Sequence, residues 1–138
     1  MHLSKASVTA IHGMVFLANA AENSPTDVKI IAQKLGIPHG YLARIFQRLA
    51  RTHLVYSRRG PQGGYVLSRE PSKISLLSII EAIDGPILTG HCELGPNDHC
   101  QLFQQCSIRT RLDSLKESTR ELYQNITLDM FDHQFANI

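Results

Sequence analysis

The chain has 138 residues, 43% of them hydrophobic, which is enough for one domain with an additional arm. The sequence contains no long uncharged apolar run, and its first residues lack the basic-then-apolar order of a signal peptide. We therefore expect a cytoplasmic protein without a membrane span. The net charge of +2 is unevenly distributed, because residues 34–73 carry eight basic side chains and one acidic one. Such a positive block favours contact with phosphate groups.

Apolar residues spaced three and four apart predict three helices in the first half of the chain. The first, over residues 5–20, begins after Ser4 as N-cap, and the second begins after Thr26 and ends at Gly36. The third opens at Pro38, which is tolerated in a first helical turn. The second and third helices, joined by a short turn, form a helix-turn-helix. The residues predicted to face inward are Val8, Ile11, Val15, Ala18, Val28, Ile31, Leu35, Tyr41, Leu42, Ile45, Phe46 and Leu49.

A β-hairpin is predicted directly after the third helix. Residues 55–58 and 65–68 are short β-rich runs on either side of a Gly/Pro-rich turn, with Arg58 at the end of the first run and Arg59 at the start of the turn. A hairpin with arginines at its tip, placed behind a helix-turn-helix, is typical of a wing. We therefore predict a mainly α fold with a small β-hairpin, a winged helix-turn-helix DNA-binding domain over residues 1–85.

The second half of the chain is predicted to contain two helices separated by a cysteine-containing loop. Ser75 can cap an apolar helix over residues 76–83, which Gly85 and Pro86 end. Residues 86–106 form the loop, and residues 107–138 form a long helix, to about residue 128, with a tail. Apolar residues spaced alternately four and three positions apart predict that this helix mediates homodimer formation. The predicted contact seam is Ile108, Leu112, Leu115, Thr119, Leu122 and Ile126.

In a helix-turn-helix the second helix enters the major groove, and flanking groups contact phosphates. Arg44 and Gln47 are our candidates for direct base contacts, because Arg pairs with guanine and Gln with adenine. Arginines at the wing tip suit a narrow minor groove. The alternatives are a solvated helix face and an ordinary hydrophilic turn. The complete set of candidate DNA contacts is His39, Tyr41, Arg44, Gln47, Arg48, Arg58, Arg59, Gln62 and Gly63.

Three cysteines, Cys92, Cys100 and Cys106, lie within fifteen residues of one another. An odd number in one loop favours a ligand cluster in a reducing compartment over a disulfide framework. Thiolates are the usual ligands of iron–sulfur clusters. A zinc site is an alternative, although the spacing lacks the usual Cys-x-x-Cys pair. A metal-free thiol switch, in which Cys100 and Cys106 form a disulfide, is another.

The sequence resembles the IscR/NsrR family of bacterial winged-helix regulators, the Rrf-two superfamily, over nearly its whole length. The resemblance rests on Leu3-Ser4, on the run from Ile37 to Leu49, and on the wing motif Arg59-Gly60-Pro61-Gln62-Gly63-Gly64-Tyr65. It implies that Cys92, Cys100 and Cys106 hold a 2Fe–2S or 4Fe–4S cluster. The family's usual fourth ligands are absent, because Arg109 and Val8 occupy those positions. One turn after Val8, His12 is the leading candidate for a fourth metal ligand from across the dimer, with His91, Glu93, Asp98 and His99 as local rivals.

These features predict a DNA-binding transcription regulator, a repressor that senses redox, nitric oxide or iron–sulfur status through its cluster. The alternatives are a metal-free thiol-switch regulator of the same fold and an electron-transfer or cluster-delivery protein. We do not expect an enzyme, since the sequence has no recognisable arrangement of nucleophile, base and oxyanion donors and no Gly-rich phosphate loop.

Overall fold

The computed structural model of the chain describes residues 2–21, 24–88 and 100–132. Within these ranges the fold consists of five α-helices and one two-stranded antiparallel hairpin, which confirms the predicted mainly helical class with a small β-hairpin. None of these helices combines the length and apolar content needed to cross a bilayer. The elements are α1 (Lys5–Ala18), α2 (Val28–Leu35), α3 (His39–Arg51), β1 (Val55–Arg58), β2 (Gly64–Leu67), α4 (Leu76–Asp84) and α5 (Ser107–Gln124).

Helix α1 begins as predicted, with the Ser4 side chain accepting the backbone N–H of Ser7 at 3.0 Å. Its inward face is rotated relative to the prediction. Val8 is 40% exposed, whereas Met14 is fully buried. The reason is a close approach between α1 and α3, since a Cβ built on Gly13 would lie 2.8 Å from the ring of Phe46. Small residues on this face allow the helices to touch, and the larger Val8 is turned outward.

Helix α2 is capped by Asp27, not by Thr26 as predicted. The Asp27 carboxylate accepts the backbone N–H of Lys29 at 2.8 Å. The backbone of Thr26 instead exchanges two hydrogen bonds with Tyr65, of 3.0 and 2.9 Å. Because Thr26 is paired with the hairpin, the next residue with a short acceptor side chain takes the cap position. Gly36 ends the helix in the left-handed conformation, as expected.

Helix α3 leads into the hairpin through a tight turn. His53 adopts a left-handed conformation, and the N–H of Leu54 donates to the carbonyl of Leu49 at 3.0 Å, as in a Schellman helix end. The hairpin pairs Val55 with Leu67 at one end and Arg58 with Gly64 at the other. The second strand begins and ends one residue earlier than predicted.

The hydrophobic core lies between α1, α2, α3 and α4, and Ser75 caps α4 as predicted. Phe46 and Met14 are among the largest fully buried side chains. The apolar run of α4 faces this core, so the expectation that this helix packs inward is confirmed. The α4 residues that are buried are Leu76, Leu77, Ile79, Ile80 and Ile83.

Helix α5 ends at Gln124, four residues before the predicted end. The chain then turns back, and residues 126–128 pair with residues 74–76. The N–H of Leu76 donates to the carbonyl of Ile126 at 2.8 Å, and the N–H of Leu128 donates to that of Ile74 at 3.0 Å. Leu128 is fully buried. The helix ends early because continuing it would keep Leu128 out of the core.

Candidate nucleic-acid interface and cysteine segment

Helix α3 separates apolar and basic side chains on opposite faces. Its inward side chains are buried, whereas His39, Arg44 and Gln47 are exposed. No acidic residue occurs in this helix. Tyr41 is half-buried and packs against the core, and Ala43 is also half-buried. The structure therefore brings the basic and amide candidates together on one accessible face, and it places Tyr41 at the edge of that face.

The N-terminus of α3 is open. Pro38 occupies the cap position, and no side chain of the described residues caps the helix there. The carbonyl of Pro38 accepts the N–H groups of Tyr41 and Leu42, both at 3.1 Å. Exposed N–H groups and the positive end of a helix dipole favour an anion such as phosphate.

The turn of the hairpin carries the other candidate DNA contacts. Arg58 is the last residue of β1, and Arg59 and Gln62 lie in the turn, where all three are exposed. The N–H of Gly63 donates to the carbonyl of Gly60 at 2.9 Å and closes the turn. The predicted wing residues are therefore grouped at the tip of the hairpin.

The second strand of the hairpin is fixed to the helix-turn-helix, close to the hairpin turn, by contacts that we did not predict. The ring of Tyr65 lies 5.0 Å from that of Phe46, centroid to centroid, and burial raises the pKa of Tyr65. Gly64, with φ of +155°, lies against Thr26, because a Cβ there would be 2.3 Å from the Thr26 carbonyl carbon. Gly64 and Tyr65 belong to the motif that carried the resemblance, which is the signal that could have identified them.

Arg48, a predicted DNA contact, makes an intramolecular contact in this structure. Its guanidinium donates a hydrogen bond to the carbonyl of Ile83, in the last turn of α4. The neighbouring Asp84 carboxylate accepts hydrogen bonds from Ser4 Oγ at 2.7 Å and from Ser7 Oγ at 2.6 Å. Arg48 therefore differs from the other basic residues of the α3 face, since it joins two helices.

Asp84 has a pKa below its ordinary value of 3.8. Partial burial raises the pKa, but hydrogen bonds from Ser7 and Ser4 and the charge of Arg48 lower it by more. Since the folded pKa is depressed, the carboxylate contributes stability above the unfolded pKa, and that contribution is lost as the pH falls through the folded pKa.

Two of the three cysteines lie within the described residues, and both are free thiols of intermediate exposure. Cys106 is the N-cap of α5, and its Sγ accepts the backbone N–H of Arg109 at 3.4 Å. The Arg109 guanidinium carbon lies 4.1 Å from the centroid of the Phe103 ring, and its buried Nε has no hydrogen-bond acceptor among the described residues. Cys106 thus lies at the positive end of a helix, and Arg109, three residues further along the chain, carries the cationic side chain that stacks on Phe103.

The complete predicted ligand set cannot be assembled from the described residues. Cys92 lies outside them, as do the local rivals His91, Glu93, Asp98 and His99. In the ranges that the structure covers, no three His, Cys, Asp or Glu side chains are placed to hold a metal ion. His12 is exposed on α1, one turn after the exposed Val8.

Comparisons with known proteins agree with this fold. A family model described as "Rrf2: Iron-dependent Transcriptional regulator" matches residues 3–133. The chain is 30% identical over 129 residues to the HTH-type transcriptional regulator IscR of Pectobacterium atrosepticum, covering 94% of this chain and 77% of that protein. Among solved structures it is similar to CymR, the global cysteine regulator of B. subtilis, with a TM-score of 0.75, 27% identity and 94% coverage of each chain. It is also similar to T. potens IscR, with a TM-score of 0.70, 25% identity and coverage of 100% of this chain and 97% of that one.

The winged fold and these relatives define a DNA-binding transcription regulator. The chain belongs to the Rrf2 family, which confirms the predicted family. Its homologues and structural neighbours are regulators and not enzymes, as expected from the sequence.

Proposed function

We propose that the chain is a homodimeric repressor that binds an operator with α3 in the major groove and the hairpin in the minor groove. The observation that carries this proposal is the shared chemistry of the two surfaces. The exposed face of α3 and the hairpin tip present basic and amide side chains, and residues 34–69 contain no acidic side chain. A surface of one sign suits the phosphate backbone, which supplies most of the affinity in such complexes.

The candidates other than Arg48 have distinct roles in this complex. Arg44 and Gln47 read base edges. Without DNA, the Nε of Arg44 donates a 3.3 Å hydrogen bond to the carbonyl of Gly40, and Arg44 gives up this bond when it contacts a base. His39 and Tyr41 contact phosphate beside the open N-terminus of α3. The wing contributes Arg58, Arg59 and Gln62, with the backbone at Gly63 allowing close approach.

Substitution of Arg44 by alanine tests the base-reading role. The DNA is a duplex that the unmodified protein selects from a random pool. We expect the Arg44→Ala variant to bind this duplex about 5- to 150-fold more weakly and to show a relaxed preference at one base position. Arg69, an exposed arginine outside the proposed DNA contacts and outside α5, provides the matched control, and Arg69→Ala is expected to leave the base preference unchanged. Fluorescence anisotropy at several salt concentrations measures both. An unmodified protein that retains no duplex at low ionic strength would contradict the proposed function.

The homodimer is proposed from a face of α5 that residues 2–21, 24–88 and 100–132 leave uncovered. Ile108, Leu115 and Leu122 are spaced seven residues apart and are 67%, 51% and 69% exposed. The ion pair from Arg120 to Glu81 holds the other side of the helix against α4. A heptad stripe of large apolar side chains suits a second copy of the same helix. A two-fold axis would then place two α3 helices on half-sites one DNA turn apart.

We further propose that Cys92, Cys100 and Cys106 hold an iron–sulfur cluster, with His12 of the second copy as the fourth ligand. The donor set fits this group, because thiolates are its usual ligands. The Nε–H of Arg109, for which the described residues offer no acceptor, and the backbone N–H that donates to Cys106 Sγ suit a negatively charged centre. A bound cluster would supply sensitivity to oxidants, nitric oxide and iron supply. Arg109 and Phe103 order the start of α5 beside it.

A metal-free thiol switch is the second candidate for the sensing step. The specific observations in its favour are the two free thiols at Cys100 and Cys106 and the similarity to CymR. Oxidation of two such thiols to a disulfide would constrain the segment between them and the start of α5. Electron transfer and cluster delivery are less well supported, because neither role requires a basic helix and an anchored wing.

A further inference from the structure

Three helices meet at the C-terminal end of α4, in a cluster that we call the α4 joint. It consists of Ser4, the N-cap of α1, with Ser7 from α1, Arg48 from α3, and Ile83 and Asp84 from α4. Arg48 donates to the Ile83 carbonyl, and both serine hydroxyls donate to the Asp84 carboxylate. The contacts join residues 35 to 80 positions apart in the sequence.

The charges of the joint complement the helix ends that they touch. Arg48 places a positive charge at the C-terminus of α4, where unpaired carbonyls make the helix end negative. Asp84 is unfavourable at the end of its own helix, but its carboxylate binds the first turn of α1, where free N–H groups make the end positive. Ser7 is fully buried, so its hydroxyl depends on Asp84 as an acceptor.

We propose that the α4 joint fixes the orientation of α3 for DNA binding, and that Arg48 acts through this position and not through contact with phosphate. This inference rests on the proposed reading of DNA by α3. It assigns positioning roles to Arg48, Asp84 and Ser7. Asp84 also lies two residues before the cysteine-containing segment 86–106, so the joint connects the start of that segment with α3.

The sign of the effect at Asp84 distinguishes positioning from simple electrostatics. Neutralising an acidic side chain on a protein that binds DNA normally raises affinity, since repulsion of phosphates is removed. If Asp84 instead holds α1 against α4 and α3, Asp84→Asn must lower affinity although it makes the protein more positive. Glu70→Gln is the matched control, because Glu70 is an exposed acid outside the joint whose 3.6 Å ion pair is with Lys73.

The test measures dissociation constants for a duplex of about 30 base pairs, selected from a random pool by the unmodified protein. We expect Asp84→Asn and Arg48→Gln each to lower affinity by about 2- to 30-fold, the usual range for coupling through a network. Ser7→Ala, which changes no charge, should lower it in the same direction. The variant that carries both Asp84→Asn and Arg48→Gln should show a smaller fold-loss of affinity than the product of the two single fold-losses, because both substitutions break the same joint. Thermal unfolding identifies any variant that fails to fold. The affinity of Ser7→Ala is then used in place of the affinity of that variant.

Salt dependence supplies the second readout. A lost phosphate contact reduces the slope of affinity against salt concentration by about one ion, whereas a positioning residue leaves the slope unchanged. A reduced slope for Arg48→Gln would overturn the proposed role of Arg48. Unchanged or higher affinity for both Asp84→Asn and Ser7→Ala would overturn the joint while leaving the proposed function intact. Absence of duplex binding by the unmodified protein would overturn both.

Discussion

Replacing Leu115 by aspartate is expected to convert the chain from a dimer to a monomer and to lower its affinity for a two-half-site duplex by about 100-fold or more. Leu115 is the centre of the exposed stripe on α5, between Ile108 and Leu122. A carboxylate there would face its symmetry mate in an apolar seam, which combines desolvation with like-charge repulsion. Losing the dimer also removes the second α3, so each half-site is bound separately.

Sedimentation equilibrium measures the mass, and anisotropy measures the affinity. Ser114→Asp is the matched control, because it adds the same charge one residue away on an exposed position of α5, about 100° around the helix from the stripe. It is expected to remain dimeric. The proposed interface is wrong if the Leu115 variant remains a dimer, or if the unmodified chain is a monomer at concentrations where it binds the duplex.

Replacing Gly64 by alanine is expected to destabilise the fold by about 2–3 kcal/mol and to weaken DNA binding. A Cβ at this position would lie 2.3 Å from the backbone of Thr26, so the Thr26–Tyr65 pairing must open to accommodate it. Opening the pairing separates the hairpin from the N-terminus of α2. The wing would then lose its fixed position relative to α3.

Gly36→Ala is the control for the conformational part of this cost. Gly36 also has a positive φ, of +65°, but a Cβ there meets no atom of the described residues within 4 Å. We expect a loss of only about 1 kcal/mol and normal DNA binding for this variant. Chemical denaturation measures both stabilities. Equal losses for the two variants would show that the contact with Thr26 does not anchor the wing.

The helix-turn-helix and the wing could be predicted because their signals are local. The apolar spacing around Phe46 and the Gly-rich turn before Tyr65 each lie within about fifteen residues. Local signals failed where distant contacts decided the outcome. Thr26 is not the N-cap of α2, because its backbone pairs with Tyr65. Helix α5 ends earlier than predicted, because Leu128 enters the core.

The candidate site was predictable as a list of residue types and less so as an arrangement. The exposed positions of Arg44 and Gln47 follow from helical periodicity alone. Arg48 follows the same periodicity, yet its partner is the Ile83 carbonyl on another helix. Asp84 has no local signature, since the hydroxyl that binds it at Ser4 is 80 positions away. Cys92 lies outside the described residues, so the ligand set stays a prediction.

The cysteine segment and the DNA-binding surface are linked in this proposal through the ends of two helices. Cys106 caps α5, and α5 is held to α4 by the ion pair from Arg120 to Glu81. The last turn of α4 in turn contacts Arg48 of α3. A chemical change at the thiols therefore has a packed route to α3, the helix proposed to read DNA.

The most direct measurement is the affinity of the protein for its selected duplex in the iron-loaded and iron-free forms, with both prepared without oxygen and compared at the same salt concentration. We predict that the iron-loaded form is coloured and that the two affinities differ by about 5- to 150-fold, as is typical of coupled sites. A difference that appears only between reduced and oxidised iron-free protein would favour the thiol switch. Equal affinities in all forms would contradict the claim that this cysteine segment controls DNA binding.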